Sequence, residues 1–238
     1  MTRALVWKAW RESRARFLVG ALVVGGLCAA FVGFADAFRA HMPAGTPYAS
    51  YLYARVYGGV VRSIFVLLAV VLGTGGLARE HALGTLGFTL ALPVPRARHA
   101  LVRAAVGLAE IVALAALPVL IVPAGSALVG ESFPLGAALT LALLWAAVGA
   151  VLLAASFVVA ELVRHDYLAL MVALVVVRGV PVVLARAGVP ASLDGVMSGR
   201  AQWTGASGTP WLALAGLVAG AAGLVALGTR ATAREGIS

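Results

Sequence analysis

Charged residues are scarce in this chain of 238 residues, and their scarcity excludes the soluble classes of protein. They make up 11% of the sequence, against 62% hydrophobic residues, and the mean hydropathy is +1.02. A soluble domain of this composition could not cover its apolar surface with a charged and polar exterior. The chain is therefore predicted to fold with lipid as part of its solvent.

Cysteine, lysine and metal-binding patterns are scarce too. The single cysteine, Cys28, lies inside an apolar run, which excludes a disulfide framework and a thiolate metal site. The four histidines show no metal-ligand spacing, so no metal site is predicted. The only lysine is Lys8, and no G-x-x-x-x-G-K-[ST] sequence occurs. The chain therefore has no P-loop for ATP, and we predict no catalytic residues and no cofactor bound by this chain.

Long apolar runs dominate what is present, and about 20 such residues make one helical span. We predict spans over residues 17–37, 59–78, 101–124, 135–159, 167–186 and 210–228. Four tyrosines in the intervening loop 38–58 suit anchoring at the headgroup level, and an aromatic lip that faces the substrate is the alternative. The second span ends in Gly73, Gly75 and Gly76, which would allow close helix approach. The predicted fold class is an all-α integral membrane protein, a single domain over residues 1–238 with six transmembrane helices.

Residues 1–16 are predicted to form an interfacial helix ahead of the first span. Apolar residues recur there at helical spacing, with basic residues on the opposite side. Glu12 and Arg16 are four residues apart in the favourable order for an ion pair. A disordered basic tail is the alternative, and two tryptophans argue against it. The residues that define this helix are Trp7, Trp10, Arg11, Glu12 and Arg14.

The basic residues set the orientation, because cytoplasmic loops are enriched in them. The outer loops hold four, namely Arg39, Arg55, Arg186 and Arg200. The inner segments hold twelve, namely Arg3, Lys8, Arg11, Arg14, Arg16, Arg79, Arg96, Arg98, Arg103, Arg164, Arg230 and Arg234. We predict both termini in the cytoplasm and a multi-pass protein of the inner (cytoplasmic) cell membrane, in contact with membrane lipid. The net charge of +9 is thus assigned to orientation and not to nucleic-acid binding.

Three ionisable residues fall inside predicted spans. Arg62 is close to the outer end of its span and can extend its side chain to the interface. Glu110 and Arg178 lie roughly 13–17 Å deep, near the midplane, where an unpaired charge is costly. An ion pair between Glu110 and Arg178 is our hypothesis. A protonated Glu110 with a hydrogen-bonded neighbour, or either residue on an aqueous path, are the alternatives.

The segment between spans two and three, Arg79–Arg103, is the longest one predicted on the cytoplasmic side. Residues 79–92 are expected to form a helix that Pro93 and Pro95 must end. The apolar run from Leu83 to Val94 is too short to span and suits an interfacial or re-entrant piece. A plain inner loop is the alternative.

This segment carries a recognisable pattern. It reads Arg79-Glu80-His81, then Gly84-Thr85-Leu86, then Leu90-x-Leu92-Pro93-Val94-Pro95-Arg96. The pattern resembles the E-x-x-x-GT-(L)…LP-[VS]-x-R signature of the type-two ABC exporter permeases, which have six spans. The basic residues of the N-terminal helix resemble theirs as well. The likeness at motif level covers residues near 8–16 and 79–96, and Arg103 stands where many relatives carry lysine.

The resemblance implies a permease subunit that moves its substrate with energy from a separate ATPase. It implies three partners: two cytoplasmic ABC ATPase subunits, which would hold ATP and Mg, and a second permease subunit in a homo- or heterodimer. An amphipathic coupling segment would contact the ATPases, through Arg79, Glu80, His81, Gly84, Thr85, Phe88, Pro93, Pro95 and Arg96. Two alternatives stay open: a transporter or channel driven by an ion gradient, with Glu110 as proton carrier, and a membrane assembly protein without transport. Few charges inside the spans favour a lipidic, amphipathic or small substrate.

Overall fold

Helices account for all the regular secondary structure in the part of the chain that the computed structural model describes, which is residues 2–74, 95–163, 168, 170–175, 193–206 and 210–234. Five of the helical stretches within these ranges are long and apolar enough to cross a membrane: Arg3–Gly33, Tyr48–Gly73, Ala97–Leu128, Leu135–Ala160 and Trp211–Thr229. The prediction of a multi-pass, all-α membrane protein is confirmed at this level. The predicted fifth span, 167–186, falls mostly outside the described residues, although residues 170–175 are helical.

The first helix, α1, runs without a break from Thr2 to Gly33. The predicted interfacial helix and first span are thus one helix, about 48 Å long at 1.5 Å per residue. The Trp10 and Phe17 rings pack against each other with centroids 5.5 Å apart, across the expected junction. Lys8 Nζ lies 3.8 Å from Glu12 Oε1, so Glu12 has an ion-pair partner one turn before it on the same helix.

The second membrane-crossing stretch is a broken helix. After the short helix α2 (Ala35–Arg39), it consists of α3 (Tyr48–Leu52), a π-helical segment (Tyr53–Tyr57) and α4 (Val60–Gly73). Gly58 and Gly59 separate the π segment from α4. A Cβ atom on Gly59 would lie 2.5 Å from the Ala54 carbonyl oxygen, so only glycine fits there.

The tyrosines of the predicted outer loop lie inside the helix bundle. Tyr48, Tyr51 and Tyr57 are all buried. The Tyr48 hydroxyl is 3.0 Å from Ser126 Oγ, and the Tyr51 hydroxyl donates a hydrogen bond of 2.9 Å to the Phe31 carbonyl oxygen. Anchoring at the headgroup level is therefore wrong for these three, because their rings fill the core and two of their hydroxyls find partners there.

The helix α6 lies at the centre of the described bundle. The helices from residue 96 onward are α5 (Arg96–Leu128), α6 (Leu135–Leu162), α7 (Leu193–Ser198), α8 (Arg200–Trp203) and α9 (Trp211–Arg234). α6 packs against α4, α5 and α9. In the apolar stretch of α6, 61% of the residues are buried, against 11% in that of α9, which agrees with a central position for α6.

Gly73 marks the closest approach of α4 to α6. A Cβ atom on Gly73 would lie 2.5 Å from the Leu153 carbonyl oxygen and 2.8 Å from Ser156 Cβ. Backbone contact of this kind is what small residues permit at helix interfaces in membranes. The sequence prediction of close helix approach is confirmed for Gly73, while Gly75 and Gly76 lie outside the described residues.

Candidate functional site at the ends of α1, α4 and α5

The described chain stops at residue 74, after α4, and resumes at residue 95, before α5. Most of the predicted coupling segment falls between these two points. Seven of its nine named residues lie outside the described residues, namely Arg79, Glu80, His81, Gly84, Thr85, Phe88 and Pro93. Pro95 directly precedes α5, and its carbonyl oxygen accepts a hydrogen bond of 2.9 Å from the Arg98 backbone N–H. Arg96 is the first residue of α5, so the helix begins five residues before the predicted start of the third span, at residue 101.

Arg16 of α1 holds the end of α4. Its Nη1 donates hydrogen bonds of 2.9 Å to the carbonyl oxygen of Val71 and of 2.9 Å to that of Thr74. The last carbonyl groups of a helix have no partner within it and carry partial negative charge, so a guanidinium is well suited to cap them. Thr74 adopts an extended backbone, which ends α4. Arg16 therefore fixes α1 to the last turn before residue 75.

Ser13, one turn before Arg16, joins α1 to α5. Its hydroxyl is hydrogen-bonded to Glu110 Oε1, and it also lies 3.1 Å from the Ala9 carbonyl oxygen. A serine hydroxyl has one proton, so it donates either to the carboxylate or to the Ala9 carbonyl. In the second case, the shared hydrogen bond requires a protonated Glu110 as donor. The pair is therefore a place where a proton can reside. We call Ser13, Arg16, Thr74 and Glu110 the polar cluster.

Glu110 is the most deeply buried acidic side chain among those the structure describes, at 3% exposed. Its Oε2 has no hydrogen-bond partner among the residues that the structure describes, and Arg16 and Arg103 act on it electrostatically. Ser13 lies in the half of α1 that carries the basic residues, so this contact sets Glu110 level with that half of the helix. The hypothetical partner, Arg178, lies outside the described residues, and the ion pair stays a hypothesis.

The other predicted site residues that the structure describes are not part of the polar cluster, although Trp10, Glu12 and Arg14 are its neighbours on α1. Arg62 is on the first turn of α4, beyond the break, and acts electrostatically on Tyr53. In the N-terminal half of α1, Trp7 is 59% exposed and Trp10 packs on Phe17. The exposed charged residues of that half include Arg11, Glu12 and Arg14.

The cluster ties three helices together at the end of the bundle where residues 75–94 connect α4 to α5. Sequence reasoning identified Glu110 and missed Ser13 and Thr74, because a neutral hydroxyl produces no signal in hydropathy or charge. Arg16 was assigned to a local pair along its own helix. The signal that could have found it is its position on α1, one turn from Ser13 and on the side opposite the exposed Arg14.

No protein-family model, no curated protein and no solved structure matches this chain.

Proposed function

We propose that this chain is the membrane-spanning permease subunit of an ABC transporter, working as an exporter in the cytoplasmic membrane. Both termini face the cytoplasm, two ABC ATPase subunits bind from that side, and a second permease subunit completes the complex. The observation that carries the proposal is the Glu80, Gly84-Thr85 and Pro93-Val94-Pro95-Arg96 pattern, placed between two membrane-crossing helices. A multi-pass chain without a P-loop needs an external source of energy to move a substrate against a gradient.

The polar cluster supplies a route for the movement of the ATPase to enter the membrane. The chain enters residues 75–94 from α4 and leaves them into α5. A displacement of this segment therefore acts on Thr74 at one end and on Arg96 at the other. Arg16 connects the first of these ends to α1, and Glu110 connects α5 to the same helix through Ser13. A displacement of residues 75–94 would therefore act on α1, α4 and α5 together.

The charge at this end of the molecule suits both lipid and an acidic partner surface. The first sixteen residues hold five basic residues, Arg3, Lys8, Arg11, Arg14 and Arg16, against the single acidic residue Glu12. Basic segments beside a span are attracted to anionic headgroups, by about 1 kcal/mol per residue. We expect this half of α1 to lie against the cytoplasmic leaflet when the complex is assembled.

The coupling segment is tested by charge reversal and by a helix-breaking substitution. We expect Glu80→Lys and Gly84→Pro to abolish substrate-stimulated ATPase activity of the purified complex while leaving membrane insertion intact. Gly84→Ala is the matched control, because it keeps the backbone N–H that proline removes, and it should retain most of the stimulation. The chain is purified from its native membranes by a tag, and the bound subunits are counted. Absence of any ATPase, or normal stimulation in both variants, would refute the coupling role.

A transporter or channel driven by a proton gradient is the second candidate, and the state of Glu110 favours it. A buried carboxyl with one unpartnered oxygen beside a hydroxyl can hold and release a proton. The purified chain alone, in liposomes that enclose a pH-sensitive dye, distinguishes the candidates. We expect no proton flux above that of protein-free liposomes, because the chain needs its ATPase. Flux that Glu110→Gln removes would establish the second candidate instead.

A further inference from the structure

Two polar aromatic side chains meet in the apolar core beside the break in the second membrane-crossing stretch. Tyr57 is the last residue of the π segment, and Trp145 lies on α6. Both are 0% exposed. Their rings are in edge-to-face contact, with centroids 5.7 Å apart and an interplanar angle of 64°. One hydroxyl donor and one indole N–H donor are thereby carried by rings that touch, away from solvent.

Neither donor has a partner. The Tyr57 hydroxyl and Trp145 Nε1 are buried without a hydrogen bond to any residue that the structure describes. The other tyrosines of this stretch are satisfied: Tyr48 by Ser126, Tyr51 by the Phe31 carbonyl, and Tyr53 by the Ser198 carbonyl at 3.0 Å. Buried tyrosine and tryptophan donors normally find a partner, because an unpaired buried donor is costly. Two such donors in contact indicate a place for a molecule that accepts hydrogen bonds.

The surroundings of these donors are aromatic. The Tyr57 ring stacks on Phe133 with centroids 5.7 Å apart, and the Trp145 ring lies 5.0 Å from that of Phe65. Apolar rings around a few convergent polar groups are the usual composition of a small-molecule site. A molecule held here would present a flat or apolar body to the rings and an oxygen atom to the donors.

Tyr57 differs from Tyr51 and Tyr53 in the charged groups that act on it. Arg55 and Arg39 act electrostatically on Tyr51, and Arg200 and Arg62 act on Tyr53. Among the described residues, the group that acts on Tyr57 in this way is Cys28, a buried thiol. An ionic ligand would find no counter-charge at Tyr57, and ions are costly to bury without one. A neutral ligand fits.

The backbone beside the site is irregular in a way that favours ligand binding. π-helical segments in α-helices are found frequently at functional sites. Broken helices in membrane proteins occur where the backbone is covered by protein or lines a binding cavity. Since both rings are fully buried, a ligand can enter only if the π segment moves relative to α6. The Gly58-Gly59 break provides the flexible point for that movement.

We propose that Tyr57 and Trp145 form a binding site for a neutral molecule that combines an aromatic or apolar body with a hydrogen-bond acceptor oxygen. The site belongs to this chain alone, so it stands whether or not an ATPase drives transport. Its hydroxyl and indole N–H orient the acceptor, and the rings of Phe65 and Phe133 enclose the body.

Benzophenone is a suitable probe, because it is neutral, carries two rings and presents one carbonyl acceptor. The full-length protein in lipid nanodiscs is irradiated with the probe, and the adducts are located by mass spectrometry. On irradiation, the carbonyl takes a hydrogen atom from a neighbouring C–H bond, and the two carbon radicals join in a C–C bond. We expect saturable labelling of the peptides that contain Tyr57 and Trp145. Tyr57→Phe and Trp145→Phe should each weaken it by about fivefold, the loss expected for one hydrogen bond.

The Tyr51→Phe variant is the matched control, because Tyr51 lies on the same helical stretch and is as fully buried as Tyr57. Thermal unfolding and labelling are both measured. Tyr51→Phe removes a hydroxyl that has a partner, so its Tm should fall while labelling stays unchanged. Tyr57→Phe removes a hydroxyl that has none, so its Tm should equal or exceed that of the wild type. Labelling that is absent, or that neither Tyr57→Phe nor Trp145→Phe weakens, would overturn the proposal. So would a fall in Tm for Tyr57→Phe as large as for Tyr51→Phe. Loss of ATPase binding would leave all these results unaffected.

Discussion

The Arg16→Ala variant is expected to lose ATPase-coupled transport and about 2–4 kcal/mol of unfolding free energy, the range for losing charge-assisted hydrogen bonds in a partly buried site. The substitution removes both hydrogen bonds that cap α4, at Val71 and Thr74. It also removes one of the two cations that act on the buried Glu110. The end of α4 would then be free to move without α1, and displacement of the coupling segment would no longer reach that helix.

Arg14→Ala is the control for this prediction. Arg14 lies two residues away on the same helix and is exposed, so its removal should change stability by no more than about 0.5 kcal/mol. Arg16→Lys tests geometry, because a lysine keeps the charge but cannot span two carbonyl groups with a planar fork. Unfolding is followed in detergent or nanodiscs, and transport in liposomes that contain the whole complex. Equal behaviour of the Arg14→Ala and Arg16→Ala variants would show that the cap at α4 contributes nothing.

Gly73→Val is expected to be strongly destabilising, with a loss of about 3 kcal/mol or more. The new Cβ would meet the Leu153 carbonyl oxygen at 2.5 Å. That oxygen belongs to the backbone of α6, so it cannot turn aside as a flexible side chain would. α4 and α6 would have to separate along their contact, next to the turn that Arg16 caps. Low yield of folded protein, or a large fall in Tm, is the expected measurement.

Gly26→Ala provides the contrast, because nothing lies within 4 Å of the position its Cβ would take. Alanine in an exposed helical position should be neutral or stabilise by up to about 1 kcal/mol. A Gly73→Ala variant should fall between the two, since it adds one carbon at the crowded point. If Gly73→Val unfolds at the wild-type temperature, the close approach of α4 to α6 does not exist in the membrane.

Hydropathy was sufficient to predict four of the membrane-crossing helices to within a few residues at most of their ends. Their apolar runs are long, and proline or charged residues lie near their ends. The second stretch was placed at 59–78, whereas the helical stretch begins at Tyr48. Tyrosine caused the error, because a ring with a hydroxyl suits both a lipid interface and a core that offers hydrogen-bond partners. Which of the two applies depends on Ser126 and Phe31, which are remote in sequence.

The candidate site was predicted only in part, for a related reason. Glu110 is conspicuous as a carboxyl in an apolar run, so its need for a partner could be inferred. Its partner Ser13 is 97 residues away, and nothing in a serine's local sequence indicates such a contact. Arg16 illustrates a second limit. Spacing along the helix indicated Glu12, a pair worth only about 0.2–0.5 kcal/mol, and gave no sign of the two carbonyl groups at the end of α4 that Arg16 binds.

The broken second stretch has a consequence for biosynthesis. α4 has 14 residues, about 21 Å of helix, against a hydrocarbon core of about 30 Å. It is therefore too short to be inserted as a span by itself. The ten residues of α3 and the π segment must enter the bilayer with it, although they contain four tyrosines and Arg55. Stable insertion of this span then depends on helices made before and after it, since α1 and α5 supply the partners for Tyr51 and Tyr48. The nascent chain is expected to hold the second span only loosely until α5 has been synthesised.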